Sequence, residues 1–159
     1  MRDRSATQLS MPAGLEARLI WSGAPASTGK KLERLSSHGP QPSIEALAYS
    51  ARRMAEAWRD GSVDVLLRRF REYIEVLQEF DADHELGIFG AGHAELTAMA
   101  AHAGLVYKPC GAGGGDIGIL LSDDAARADA FIAESLPGEF RALDLQLDER
   151  GVQVTREGA

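Results

Sequence analysis

The segment from Lys108 to Leu121, "KPCGAGGGDIGILL", combines residue types that could bind a phosphate. Glycine occupies five of its fourteen positions. About two or three residues are enough to join paired strands, so the run from Gly111 to Gly115 is longer than a hairpin needs. Successive glycine amides can curl into a concave nest whose N–H groups bind an anion. The segment therefore predicts a phosphate-binding loop, and the alternative is a flexible hairpin tip without a ligand.

Three residues beside the glycines modify this prediction. Lys108 precedes the loop and could add positive charge to the same anion, whereas Asp116 follows it and must face elsewhere or toward a cation. Cys110 is the single cysteine, and the sequence places no base beside it that would make it a nucleophile. The chemistry indicated is anion binding rather than covalent catalysis.

Two common phosphate signatures do not fit the chain. The dinucleotide fingerprint G-x-G-x-x-G opens a helix, but here Asp116 takes its sixth position and a β-prone segment follows. The segment "GAPASTGKK", from Gly23 to Lys31, resembles a P-loop, which needs four residues between its glycines and Ser or Thr after the lysine. Five residues separate Gly23 from Gly29, and Lys31 follows Lys30. Neither motif supports a nucleotide site.

Metal and nucleic-acid sites are not predicted. His84, His93 and His102 share no helix face and no cysteine joins them, so solvated or locally hydrogen-bonded side chains are expected. The acidic run of Asp81, Asp83 and Glu85 is interpreted as a solvated turn. With 24 Asp and Glu against 17 Lys and Arg, the chain has no concentrated basic face for nucleic acid.

The composition is that of one globular domain. The chain has 159 residues, 45% hydrophobic and 26% charged, and no apolar run near the roughly 20 residues of a membrane span. The start, "MRDRSATQLSMPAG", lacks the apolar stretch of a secretory signal. A lone cysteine suits a reducing compartment, so we expect a cytoplasmic protein. The predicted organisation is a flexible segment 1–14 followed by one domain over 15–159.

Hydrophobic periodicity predicts the elements that position the loop. Helical spacing covers two consecutive segments, capped by Ser43 and Ser62 and separated at Gly61, and a further helix runs from His93 to Ala103. The remaining predicted elements are strands 18–22, 105–108, 117–121 and 143–147, short helix 30–35, a helix from Asp123 or Asp124 to about Ser135, and a return strand with Val152 and Val154. This order of strand, helices, strand, strand, helix, strand predicts an α+β, ferredoxin-like split β-α-β sandwich with extra helices in the first crossover.

Two segments together resemble the GHMP kinases, the superfamily of galacto-, homoserine, mevalonate and phosphomevalonate kinases. "KPCGAGGGDIGILL" is similar to the third conserved motif of that superfamily, and aspartate after the glycines resembles its phosphomevalonate kinase branch. "WSGAPAST", from Trp21 to Thr28, resembles the opening of the C-terminal domain in that branch. The resemblance extends over roughly residues 15–136.

The resemblance implies a function and a set of site residues. It implies transfer of the ATP γ-phosphoryl group to phosphomevalonate in isoprenoid synthesis, normally with Mg²⁺. Ser27 and Thr28 would offer hydroxyls to the acceptor. Cys110 departs from the serine that phosphomevalonate kinases often carry, which removes a hydroxyl donor. Lys108 would supply a positive charge, and Asp116 would supply a carboxylate. The backbone amides of the loop would come from Gly111, Ala112, Gly113, Gly114 and Gly115.

The N-terminal motif of this superfamily, "PxxxGLGSSA" in consensus, does not occur in the sequence. The expectation is therefore a C-terminal domain that needs a separate N-terminal half as partner, with little or no kinase activity alone and with no catalytic residue assigned. Three alternatives stay open: a mevalonate kinase-like protein, a non-catalytic ferredoxin-like module that binds a small molecule, and an interaction protein that docks an N-terminal partner. The candidate acceptors are mevalonate, phosphomevalonate and related alcohols or phosphates, and the sequence does not choose among them.

Overall fold

The computed structural model describes residues 10–37 and 42–145, which fold into a four-stranded sheet and five helices. Strand β1 begins the described fold, and the glycine-rich segment joins β2 to β3. The bounds are β1 Glu16–Trp21, α1 Thr28–Ser37, α2 Pro42–Asp60, α3 Val63–His84, α4 His93–His102, β2 Val106–Pro109, β3 Ile117–Ser122, α5 Ala125–Ser135 and β4 Arg141–Leu143.

The sheet has the strand order β2-β3-β1-β4, and every neighbouring pair is antiparallel. Glu16 pairs with Ser122, and Trp21 pairs with Ile117, so β1 lies along the whole of β3. This order is that of a split β-α-β sandwich, and the predicted α+β fold class is confirmed. As a result, residues 110–116, which precede β3, lie beside the C-terminal end of β1.

Helices pack on both faces of the sheet, because neighbouring residues on a strand point to opposite sides. Val106 and Leu121 belong to the core cluster formed with α2 and α3. Tyr107 and Leu120 belong to a second cluster formed with α4 and α5. Burial of these apolar faces, at about 25 cal/mol per Å² of apolar surface, is the main stabilising contribution.

The ends of the helices follow from local chemistry. Asp124 caps α5, since its carboxylate accepts a hydrogen bond from the Arg127 amide at 3.1 Å. Helix α3 ends where Glu85 adopts a left-handed conformation with φ 51°. The predicted helix pair is present, and α3 continues through buried Phe80 to His84, so it includes Asp81 and Asp83 of the predicted acidic turn.

The last predicted strand differs from the structure. Residues 143–147 were expected to alternate along one strand, but β4 covers only Arg141–Leu143 and Leu145 lies outside it, 61% exposed. A turn in which the Phe140 amide donates to the Pro137 carbonyl brings the chain beside Trp21, which pairs with Arg141. The pairing register is set by this turn rather than by the alternating pattern. The return strand with Val152 and Val154 falls outside the described residues, as does most of the predicted segment 1–14.

None of the described helices combines the length and the apolar character that a membrane span requires.

Candidate functional site

The glycine loop, defined here as residues 110–116, is fixed on one side to the segment that follows β1. The Asp116 amide donates to the Ala24 carbonyl at 2.6 Å, and the Ser22 amide donates to the Asp116 carbonyl at 2.8 Å. A Cβ on Gly115 would lie 2.8 Å from the Ala24 carbonyl oxygen, closer than a side chain tolerates. Asp116 therefore fixes the loop through its backbone, which has a left-handed φ of 55°.

The other side of the loop packs on the segment between α3 and α4. The Gly114 amide donates to the Ile88 carbonyl at 2.7 Å. A Cβ on Gly113 would overlap the same carbonyl and lie 2.9 Å from the Ile88 Cα. The glycines permit two backbone segments to approach each other, so the loop is not the flexible hairpin tip considered from the sequence.

The amides of the loop divide into two groups. Those of Gly113 and Gly114 donate to the carbonyls of Cys110 and Ile88, and these two are therefore used within the protein. For the amides of Gly111, Ala112 and Gly115, no hydrogen-bond partner occurs among residues 10–37 and 42–145. An anion nest, predicted from all five amides, is limited in this conformation to those three donors.

The lysine that contacts the loop is Lys31, from α1. Its ammonium donates to three backbone carbonyls, those of Gly87 at 3.0 Å, Ala112 at 3.0 Å and Gly113 at 2.7 Å. Burial lowers the pKa of Lys31, and the charge of Asp81 opposes this shift. Lys108, predicted to supply charge, instead donates to the Pro109 carbonyl at 2.6 Å, and burial lowers its pKa as well. Its contact with an anion stays a prediction.

A cavity of about 760 Å³ opens beside the loop, between α1 and the segment before α4. The cavity is lined by Pro25, Ser27, Lys31, Glu33, Arg34, Leu86 and Gly114, of which Glu33 is acidic. Ser27 and Thr28 are both exposed, and Thr28 begins α1, so the positive end of this helix dipole lies at the same place. The structure thus places Ser27 and Gly114 of the glycine loop at one cavity, although the two residues are far apart in sequence.

His93, at the start of α4, supports the loop from its buried side. The side chain is fully buried, its Nδ1 lies 2.8 Å from the Tyr107 hydroxyl, and its Nε2 lies 3.1 Å from the Gly115 carbonyl. A carbonyl can only accept, so Nε2 carries the hydrogen and Nδ1 accepts from Tyr107. Gly118 leaves room for this arrangement, since a Cβ there would overlap the Tyr107 hydroxyl. The expectation of a locally hydrogen-bonded histidine is met at His93, and the side chain is not solvated.

Burial sets the protonation of this pair. It lowers the pKa of His93, an effect that Lys31 reinforces and that the hydrogen bond to Gly115 opposes. It also raises the pKa of Tyr107, with a smaller contribution from neighbouring Cys110. A neutral imidazole and a protonated phenol are the forms that the two hydrogen bonds require.

The buried His93 should make the free energy of unfolding fall as the pH drops below about 6.5, the ordinary pKa of histidine. Between that value and the lower folded-state pKa, the unfolded chain binds a proton that the folded chain does not, so stability rises with pH. The contribution is complete above pH 6.5 and is lost as the pH falls. Urea unfolding of wild type and His93→Asn across this range measures it, and equal pH slopes for the two proteins would contradict it.

Asp81 corrects the prediction of a solvated acidic turn. It lies in the last turns of α3, half-buried, and its carboxylate accepts from the Ile88 amide at 2.7 Å and the Phe89 amide at 3.0 Å. These bonds fix the segment on which the glycine loop rests, because the backbone after α3 turns back over the helix end. The sequence showed only acidic residues near one another and could not show which of them faces inward.

Replacing Asp81 by alanine should lower the free energy of unfolding by about 1–3 kcal/mol, because two amides lose a charged acceptor. Asp83→Ala, on the exposed side of the same helix, is the matched control and should change it by less than about 0.5 kcal/mol. Urea unfolding monitored by circular dichroism compares the two variants. Equal effects would show that the carboxylate of Asp81 has no special role.

The described residues contain no group of three or more His, Cys, Asp or Glu side chains that could hold a metal ion. Cys110 is a free, half-buried thiol. Sequence reasoning missed Lys31, Asp81, His93 and Tyr107 as supports of the loop. No local signal identified them, since each acts on residues at least seven positions away.

Comparisons with known proteins agree with the resemblance predicted from the two sequence segments. No family model matches the chain. Phosphomevalonate kinase of Streptomyces sp. (strain CL190) is 34% identical over 131 residues, which cover 79% of this chain and 35% of that protein. The chain thus spans about a third of the length of this curated relative.

Solved structures show the same fold. A Listeria innocua protein, Lin0012, superposes with a TM-score of 0.72 at 22% identity, covering 86% of this chain and 42% of that one. Phosphomevalonate kinase of Streptococcus pneumoniae superposes with a TM-score of 0.66 at 19% identity, covering 80% and 38%. A structure of the same enzyme in complex with phosphomevalonate and AMPPNP superposes equally well, with a TM-score of 0.66 at 21% identity, covering 79% and 37%.

Proposed function

Because this chain is a relative of phosphomevalonate kinase and has the GHMP kinase C-terminal fold, we propose that it forms the acceptor-binding part of an ATP-dependent kinase acting on phosphomevalonate. The observation that carries the proposal is the 34% identity over 131 residues, which include the ordered glycine loop. We propose that the reaction on phosphomevalonate belongs to isoprenoid synthesis. We also propose that residues 15–159 form a single domain and that the protein is cytoplasmic.

The geometry beside the loop supports a phosphate as ligand. The amides of Gly111, Ala112 and Gly115 have no partner in the described part of the chain, and the Lys31 ammonium and the start of α1 add positive potential. Ser27 lines the cavity beside the loop, and the adjacent Thr28 is also exposed. An anionic phosphate ester is the ligand class that such a wall accepts.

The described residues offer groups that could bind a phosphate of ATP, but they offer few ligands for Mg²⁺. A phosphate of the nucleotide could use the same amides as the acceptor's phosphate. No three carboxylate, imidazole or thiolate groups converge in the described residues, so Mg²⁺ would need nucleotide phosphates and water for most of its ligands. The chemical contribution that we propose for this chain is therefore positioning and charge stabilisation of phosphate oxygens, on which phosphoryl transfer mainly depends.

Binding of the acceptor by the 159-residue chain tests the proposal. Titration with phosphomevalonate, followed by ¹H–¹⁵N NMR, should shift the amides of Gly111, Ala112 and Gly115. Mevalonate, which lacks the phosphate, is the matched control ligand and should shift them much less. Identical shifts with both ligands, or no shift at all, would refute a phosphate site at this loop.

A kinase assay tests the requirement for a second half. The chain is mixed with ATP, Mg²⁺ and phosphomevalonate, with and without a polypeptide carrying the N-terminal part of the Streptomyces relative. We expect turnover only in the mixture that contains both polypeptides, because the motif "PxxxGLGSSA" does not occur in these 159 residues. Rapid turnover by the 159-residue chain alone would refute the division of roles, and phosphate-dependent binding that no N-terminal part converts into turnover would favour the binding-module alternative.

A further inference from the structure

Three backbone carbonyls converge beside the cavity, and they come from two segments that are distant in sequence. The Gly87 carbonyl belongs to the segment between α3 and α4, and those of Ala112 and Gly113 belong to the glycine loop. All three accept from one atom, Lys31 Nζ, at 2.7 to 3.0 Å. Carbonyl oxygens carry partial negative charge, so a positive group placed among them is stabilised.

We call these three carbonyls the carbonyl cradle. The Lys31 ammonium group matches the cradle in its number of donors and in its compact shape. A lysine has three N–H donors, and the three carbonyls use all of them. The group is also a compact point charge, in contrast to the planar fork of arginine. A Cβ on Gly114 would lie 2.5 Å from the Gly87 carbonyl and would also overlap Nζ, so glycine is needed there for the cradle to exist.

We propose that the cradle formed by the carbonyls of Gly87, Ala112 and Gly113 is a monovalent-cation site, which Lys31 fills with a tethered ammonium ion. The tethered charge joins α1 to both walls of the cavity and keeps the loop packed on Ile88. Because its three donors are committed to carbonyls, Lys31 is a positioning residue, and any effect on a phosphate acts through its charge. This inference does not rest on the proposed kinase function.

Shortening the side chain tests the proposal. In Lys31→Ala the cradle loses its cation, and hydrogen exchange of the Gly114 amide, which bonds to Ile88, should become about tenfold faster. Ammonium or potassium chloride should restore slow exchange in this variant, because either ion can enter the space that the side chain leaves. Tetramethylammonium chloride at the same ionic strength should not, since this ion is too large to enter the space.

Lys31→Met is the matched control variant. Its unbranched side chain fills the same space without charge, so exchange should be fast and the added cations should not slow it. Alanine and methionine both favour helix, so α1 should persist in both variants, which far-UV circular dichroism verifies. Wild-type exchange rates in Lys31→Ala, equal rescue by tetramethylammonium, or rescue of Lys31→Met by ammonium would each overturn the proposal.

Discussion

Replacing Gly113 by alanine should lower the free energy of unfolding by about 2–4 kcal/mol, which is among the largest effects expected of a single methyl group. Gly113 has a left-handed φ of 66°, which costs a residue with a Cβ roughly 1–2 kcal/mol. The new Cβ would also lie 2.9 Å from the Ile88 Cα and overlap the Ile88 carbonyl, both backbone atoms that a rotamer change cannot move. Relief requires the loop to separate from the segment before α4. Urea unfolding measures the loss.

Gly111→Ala separates the two contributions. Gly111 has a similar φ of 59°, but a Cβ there would meet nothing within 4 Å. This variant should therefore lose only the backbone contribution, roughly 1–2 kcal/mol. If both variants lost the same amount, the close approach to Ile88 would not exist in solution. Under the proposed function, Gly113→Ala should also weaken phosphomevalonate binding, because the loop would no longer be held at the cavity.

Replacing His93 by leucine should lower the free energy of unfolding by about 2–4 kcal/mol, since it removes the shared hydrogen-bond partner of two buried polar groups. The Tyr107 hydroxyl loses its acceptor and the Gly115 carbonyl loses its donor, and neither group gains access to water. Leucine fills a similar volume, so a cavity contributes little. The Gly115 carbonyl is part of the glycine loop, so faster hydrogen exchange of Gly113 and Gly114 should accompany the loss.

A double-mutant cycle tests whether the histidine and the tyrosine act as a pair. Tyr107→Phe alone should cost about 1–2 kcal/mol, because it leaves Nδ1 of His93 without a donor. In the double variant no unsatisfied hydroxyl remains, so its loss should be smaller than the sum of the single losses by about 1 kcal/mol. Strict additivity would show that the 2.8 Å contact contributes nothing to stability.

The sequence predicted much of the fold because the relevant signals are local. The apolar stripe of α2 and α3 is visible at helical spacing, and the order of strands and helices confined the topology to few choices. The bounds failed where a tertiary contact decided them. Helix α3 extends to His84 because Phe80 and His84 are buried as well, and β4 begins early because its turn places Arg141 opposite Trp21.

The candidate site divides in the same way. Residue types and order alone predicted a role for the glycine loop and for Ser27 and Thr28, which stays a prediction. They also predicted the relationship to phosphomevalonate kinases, which is confirmed. The tertiary structure decided which loop amides donate within the protein, that the Lys31 ammonium bonds to loop carbonyls, and that His93 supports the loop. The physical reason is distance along the chain. Lys31 lies 81 and 82 positions from two of its carbonyl partners, and such hydrogen bonds are set by how the sheet and helices pack, which no local pattern of residues encodes.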